Sequence, residues 1–183
     1  MPRKILIVVD MQNDFITGPL STPEAQAILP AVAHKVRLAT TDPNCIVIFT
    51  KDTHDENYLS SQEGKRLPVE HCVVGSAGWH LHRDLVDFLM QDRVFLRRKS
   101  TFGFAGWHWY LAKFCDIESI ELIGVCTDIC VVSNALMLKA EYPEAQITVD
   151  ASCCAGSTPE RHKAALDVMR SCQIDVIGDD VHA

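Results

Sequence analysis

Three side chains in this 183-residue chain stand where chemistry can happen. Asp10 follows the apolar run Ile5-Leu6-Ile7-Val8-Val9 directly. Lys99 closes Arg97-Arg98-Lys99. Cys130 lies in Gly124-Val125-Cys126-Thr127-Asp128-Ile129-Cys130-Val131, where a strand gives way to a helix. A cysteine in the first turn of a helix meets the positive end of the helix dipole and several unpaired backbone N–H groups. Both favour thiolate, and the same N–H groups can hold a developing oxyanion. A thiol with a carboxylate base and an ammonium group suits nucleophilic attack on an acyl carbon. Each residue also has an ordinary explanation. Aspartates cap turns, lysines are solvated, and cysteines are commonly buried in cores. Cys45, Cys72, Cys115, Cys153, Cys154 and Cys172 lack the strand-to-helix placement and read as structural.

A second constellation follows Lys51. Asp52 and His54 are two residues apart after a strand, so in extended backbone they point the same way. A divalent metal could take both, with Glu63 and His71 completing the site. Mixed oxygen and nitrogen donors suit Zn2+, Fe2+ or Mn2+. A bare D-x-H also arises often by chance. Cys126 and Cys130 could instead be two ligands on one helical face, but no second ligand pair lies near them in sequence. His34, His80, His82, His108, His162 and His182 read as surface or helix-face groups. Phe15, Phe102, Phe104, Trp79 and Trp107 could wall a flat substrate or simply pack. Phe15, Phe104 and Val125 are the candidates for substrate contact.

The elements that must position these groups follow from hydrophobic pattern. Residues 4–9, 45–51, 93–96, 119–124 and 146–149, with 174–177 as a sixth candidate, are short, β-branched and almost continuously apolar. That is the signature of parallel strands covered on both faces. Helical patterns alternate with them at 23–40, 81–90, 107–114, 128–141 and 159–171. Ser21-Thr22-Pro23 and Thr158-Pro159-Glu160 are cap-then-proline starts. The alternation predicts a three-layer α/β/α sandwich with a mostly parallel central sheet, built as one domain over 1–183. Ligands in such folds sit at the carboxyl ends of strands. That rule selects Asp10, Asp52, Lys99 and the segment 124–130. The long irregular stretch 52–79 is the kind of loop that carries function.

Bulk properties exclude other classes. Net charge is −7 and the densest basic cluster is three residues long, so neither nucleic acid nor an anionic membrane is an expected partner. The apolar run before Asp10 is five residues, which reads as a first strand rather than a signal sequence. No stretch approaches the ~18 apolar residues of a membrane helix. Eight cysteines without a secretion signal read as reduced thiols in a cytoplasmic protein.

Three signatures, in order along the chain, resemble the isochorismatase-like cysteine hydrolases, and among them nicotinamidases most. They are Val9-Asp10-Met11-Gln12-Asn13-Asp14-Phe15, Lys99-Ser100-Thr101-Phe102, and Gly124 through Val131. The resemblance spans nearly the whole chain. It implies the isochorismatase-like, Rossmann-like fold. It implies a triad of Asp10, Lys99 and Cys130, a cis peptide between Val125 and Cys126, and an oxyanion hole from the Cys126 and Cys130 N–H groups. It also implies a divalent metal on Asp52, His54 and His71, with Glu63 as fourth ligand. The implied reaction is hydrolysis of nicotinamide to nicotinate and ammonia through a thioester, in a homo-oligomer that takes small amides. Two departures put the substrate in question. Pro68 stands where many nicotinamidases carry an aromatic three residues before the last metal histidine, and the Lys99 loop lacks their tyrosine. A related hydrolase of an N-carbamoyl compound, a ureide or another small amide is the alternative, and a non-catalytic binding domain on the same fold is a third reading.

Overall fold

A computed structural model of the chain describes residues 3–179. The predicted His182 lies outside them. Six strands form one sheet: β1 (Arg3–Val9), β2 (Cys45–Asp52), β3 (Val94–Lys99), β4 (Ile117–Val125), β5 (Gln146–Ala155) and β6 (Asp175–Ile177). Their order is β3-β2-β1-β4-β5-β6, and every neighbouring pair is parallel. The helices are α1 (Asn13–Ile16), α2 (Pro23–Ala27), α3 (Leu29–Thr41), α4 (Arg83–Val86), α5 (Trp107–Leu111), α6 (Val132–Glu141) and α7 (Pro159–Ser171).

The continuous apolar strands are explained by what covers them. Alternate residues of a strand face opposite ways. Leu6, Val8, Val47 and Phe49 enter one core with residues of α1 to α4. Ile5, Ile7, Val9, Ile46 and Ile48 enter a second core with α5, α6 and α7. Both faces of the central strands are therefore dry, and the chain forms the expected three-layer sandwich. Strand order runs outward from β1 to β3, then restarts at β4 on the other side of β1. The reversal leaves a crevice over the carboxyl ends of β1 and β4, where ligands bind in such folds.

Several element boundaries differ from expectation. The helix predicted over 23–40 breaks at Ile28 into α2 and α3. Pro30 lacks the N–H that would have bonded the Gln26 carbonyl, and its ring crowds that turn. The stretch 81–90 is only one α-turn plus a 3-10 turn, and α5 stops at Leu111. Strand β5 runs on to Ala155 through Asp150 and Ser152, polar residues that interrupt the sequence pattern. Ser152 donates to Asp150 Oδ1 from both its N–H (3.0 Å) and its hydroxyl (2.6 Å). Lys35 of α3 pairs with Asp150 and with Glu121 of β4. Those charges are satisfied within the fold, so the strand tolerates them. His82 and His162 are not free surface groups either: His82 Nδ1 caps α4 through the Asp84 N–H, and His162 Nδ1 lies 2.8 Å from Thr127 Oγ1.

Gly124 is the position where β4 comes closest to β1. Its φ is +114°, and a Cβ there would lie 2.2 Å from the Val9 carbonyl oxygen. Gly124→Ala must strain the backbone and push β1 away just before Asp10. The expected cost is about 2–5 kcal/mol of stability in urea unfolding.

Candidate active site and metal centre

The register of the parallel strands brings the sequence candidates together. Asp52, the last residue of β2, pairs with Lys99, the last of β3. Lys99 thus ends a strand that runs three residues further than predicted, so its side chain is aimed by sheet geometry and not by a loop. Asp10 follows Val9, which pairs with Gly124 of β4. Asp10 itself has φ +49°, a left-handed conformation rare outside glycine, which turns its carboxylate out of the strand path.

Lys99 Nζ lies 2.6 Å from Asp10 Oδ2 and 3.5 Å from both Cys130 Sγ and Asp52 Oδ1. All these groups are buried: Asp10 is 0 % exposed, and Lys99 and Cys130 are each 5 %. Thr50 donates its hydroxyl to Asp10 Oδ1 (2.7 Å) and accepts the Asp10 N–H (3.2 Å). Asp10 Oδ2 has the Lys99 ammonium beside it and otherwise no hydrogen-bond partner. Thr50 therefore holds Oδ1, and Oδ2 faces the Lys99 ammonium.

The electrostatics follow from burial and these neighbours. Burial raises the Asp10 carboxyl above the usual aspartate range, Lys99 opposes that, and Asp52 adds to it. Burial acts to lower the Lys99 ammonium, but Asp10, Cys130 and Asp52 outweigh it, so Lys99 stays protonated. Burial and then Asp10 push the Cys130 thiol well up, against the pull of Lys99. Burial and the Asp10 charge thus oppose the thiolate that the helix start and Lys99 favour. Cys126, which is half-buried, is pushed by burial to about 12.

The helix start is also wider than a regular α-turn. Residues Thr127–Val131 form a π-helical turn, and the Cys126 carbonyl accepts the N–H groups of Ile129 (3.1 Å) and Val131 (3.0 Å). Such bulges concentrate at functional sites. The Val125–Cys126 peptide is cis, as the resemblance implied.

Beside this cluster, Asp52, His54, Glu63 and His71 converge, each offering a ligand atom within 4.8 Å of the others. His54 Nε2 is 3.0 Å from Asp52 Oδ2 and 3.7 Å from Glu63 Oε1. His71 Nε2 is 3.5 Å and 3.8 Å from the same two oxygens. A tetrahedral ion with bonds of about 2.1 Å spaces its donors about 3.4 Å apart, so the donor set fits a divalent cation. His71 Nδ1 donates to the Val69 carbonyl (2.8 Å), which leaves Nε2 as the lone-pair atom facing the cluster. Despite its burial, the imidazoles of His54 and His71 beside it and the charge of Lys99 hold the Asp52 carboxyl far below the usual range.

The substrate-contact candidates are divided between the two cores, Phe15 and Val125 in one and Phe104 against the other. Phe15 lies edge-on to His71 at 5.7 Å. Val125 is buried at the end of β4. Phe104 packs on Trp107 (5.0 Å) in the opposite core. Tyr58, not singled out from sequence, places its ring 4.6 Å from His54 and 4.8 Å from His71 and donates its hydroxyl to the Leu67 carbonyl.

Other supporting residues were also missed. The Gln12 amide donates to the carbonyls of Asp52 and Trp79 (both 2.9 Å) and accepts the Asp52 N–H (2.7 Å). Asp14 accepts the Cys72 N–H (2.7 Å), beside His71. The signal was available, since Gln12 and Asp14 share the short motif of Asp10, and Thr50 lies on the same strand face as Asp52. Asn134 sits one turn after Cys130 and has no such marker.

Residues 4–180 match the Isochorismatase domain. The chain is 27 % identical over 207 residues to a nicotinamidase of Schizosaccharomyces pombe, covering 95 % of this chain and 92 % of that protein. It is 30 % identical over 187 residues to a probable inactive nicotinamidase of Arabidopsis thaliana, covering 91 % and 87 %. Among solved structures it resembles the pyrazinamidase of Pyrococcus horikoshii in complex with zinc, with a TM-score of 0.80, 25 % identity, and coverage of 96 % and 99 %. Fold, motif order and domain match agree, and the chain belongs to the isochorismatase family.

Proposed function

We propose that this protein is a cysteine-dependent amidohydrolase that converts nicotinamide to nicotinate and ammonia. The observation that carries this reading is the Lys99 ammonium, buried between the Asp10 carboxylate and the Cys130 thiol. Names of relatives support the substrate, and the convergent donor set supports a metal-assisted pocket.

In the mechanism, Asp10 takes the Cys130 thiol proton as sulfur attacks the carboxamide carbon. The raised Asp10 carboxyl suits a group that must accept a proton and then return it. The Cys126 and Cys130 N–H groups face the developing oxyanion. Asp10 gives its proton to the departing nitrogen and ammonia leaves. Asp10 then takes a proton from water as the water attacks the thioester, and sulfur recovers its proton as nicotinate departs. Lys99 stays charged throughout, balancing Asp10 and the sulfur in turn. Asp52, His54, Glu63 and His71 would hold a divalent ion, which when bound supplies a Lewis acid able to anchor a heteroaromatic nitrogen. Pro68 in place of an aromatic favours, as a second reading, the same chemistry on an N-carbamoyl compound, a ureide or another small amide.

Cys130→Ala should abolish ammonia release from nicotinamide and leave the circular dichroism spectrum unchanged; undiminished turnover would sink the nucleophile. Activity on other amides with none on nicotinamide selects the second reading. Lys99→Met should remove activity and, by stranding a buried carboxylate, cost about 3–5 kcal/mol of stability. Adding Asp10→Asn should recover most of that stability but no turnover, which denaturant unfolding and an ammonia assay read separately. His71→Ala should weaken zinc binding by more than the roughly 10–100-fold that loss of an outer-shell partner costs. Equal zinc affinity in a direct titration would remove His71 from the metal site.

A further inference from the structure

Asn134 of α6 is fully buried and uses its whole amide. Its oxygen accepts the Phe104 N–H (2.9 Å) and the Trp107 indole N–H (2.8 Å). Its nitrogen donates to the carbonyls of Cys130 (2.8 Å) and Phe102 (3.2 Å). One side chain therefore ties the backbone of the nucleophile to both ends of the 102–107 segment. That segment begins three residues after Lys99 and is held from below as well. Gly103 packs so closely on α6 that a Cβ would lie 2.3 Å from Met137 Sδ. The Thr101 hydroxyl closes a turn on the Gly103 carbonyl (2.7 Å). Phe102 at its tip is 45 % exposed, whereas the neighbouring Cys130 is nearly covered. Because a single amide nitrogen bonds the carbonyls of Phe102 and Cys130, the loop backbone lies directly beside the thiol-bearing turn.

We infer that Asn134 is a positioning residue that fixes the 102–107 loop beside Cys130 and so sets the size of acyl group that reaches the thiol. This rests on Cys130 being the reactive group, as proposed above. Four hydrogen bonds from one rigid, buried side chain leave the loop a single position, and a site held that firmly excludes groups that a looser loop would admit. The substrate class that follows is a carboxamide whose acyl group is no larger than a single six-membered ring.

The test compares labelling of Cys130 by N-methylmaleimide and N-phenylmaleimide, followed by peptide mass. The ratio of the two rates cancels the thiolate fraction and reports access alone. Asn134→Leu removes all four bonds, and Trp107→Phe removes one while keeping an aromatic core residue. The phenyl-to-methyl ratio should rise by at least about fivefold in Asn134→Leu, the change equivalent to one lost hydrogen bond, and less in Trp107→Phe. An unchanged ratio in folded variants overturns the inference, as does failure of both variants to fold, which would make Asn134 a determinant of the fold alone. If neither reagent labels wild-type Cys130, the nucleophile reading fails instead.

Discussion

The buried Lys99 ammonium is the interaction on which the site depends. It faces Asp10 at 2.6 Å, and Asp52 and Cys130 at 3.5 Å. A charge this deep is tolerated only when its surroundings answer it. Asp10 and Asp52 do so from two other strands, and each is in turn held by neutral donors. Thr50 fixes Asp10, and the Asp52 backbone is held by Gln12. Removing any of these strands from register would leave a charge without its partner, so the fold and the site are held by the same contacts.

That arrangement also joins two centres that the sequence presents separately. Asp52 turns one carboxylate oxygen toward Lys99 and the other toward His54 and His71. A cation on the Oδ2 side and the ammonium on the Oδ1 side would therefore act on the same carboxylate. The position and occupancy of the metal-side cluster would be felt at Asp10 and Cys130 through Lys99. The aromatic surroundings of the histidines differ from expectation in a related way. Pro68 supplies no ring, while Tyr58, ten residues earlier, packs against both imidazoles.

Cys130 shows how two local effects compete. A helix start and a nearby ammonium favour thiolate, yet full burial and the Asp10 charge favour the thiol. The outcome suits a nucleophile that is activated only as its proton passes to an adjacent base.

The sequence by itself determined the layered architecture, because near-continuous apolar strands can be buried only between two layers of helix. It also marked Asp10, Lys99 and Cys130, because each stands at or just after the carboxyl end of a strand, and the donor types that meet in the Asp52, His54, Glu63 and His71 cluster. Element ends were less legible. Lys99 lies within β3 because sheet pairing extends a strand past its apolar run, and β5 continues through Asp150 because Lys35, distant in sequence, neutralises it. Only the tertiary structure decided how deeply Asp10, Lys99 and Cys130 are buried, that Thr50 holds Asp10 Oδ1, and that Gln12, Tyr58 and Asn134 bond or pack around these groups. The bonds of Gln12 to Trp79, Thr50 to Asp10 and Asn134 to Trp107 span 67, 40 and 27 residues, and local pattern does not encode which distant donor meets which acceptor.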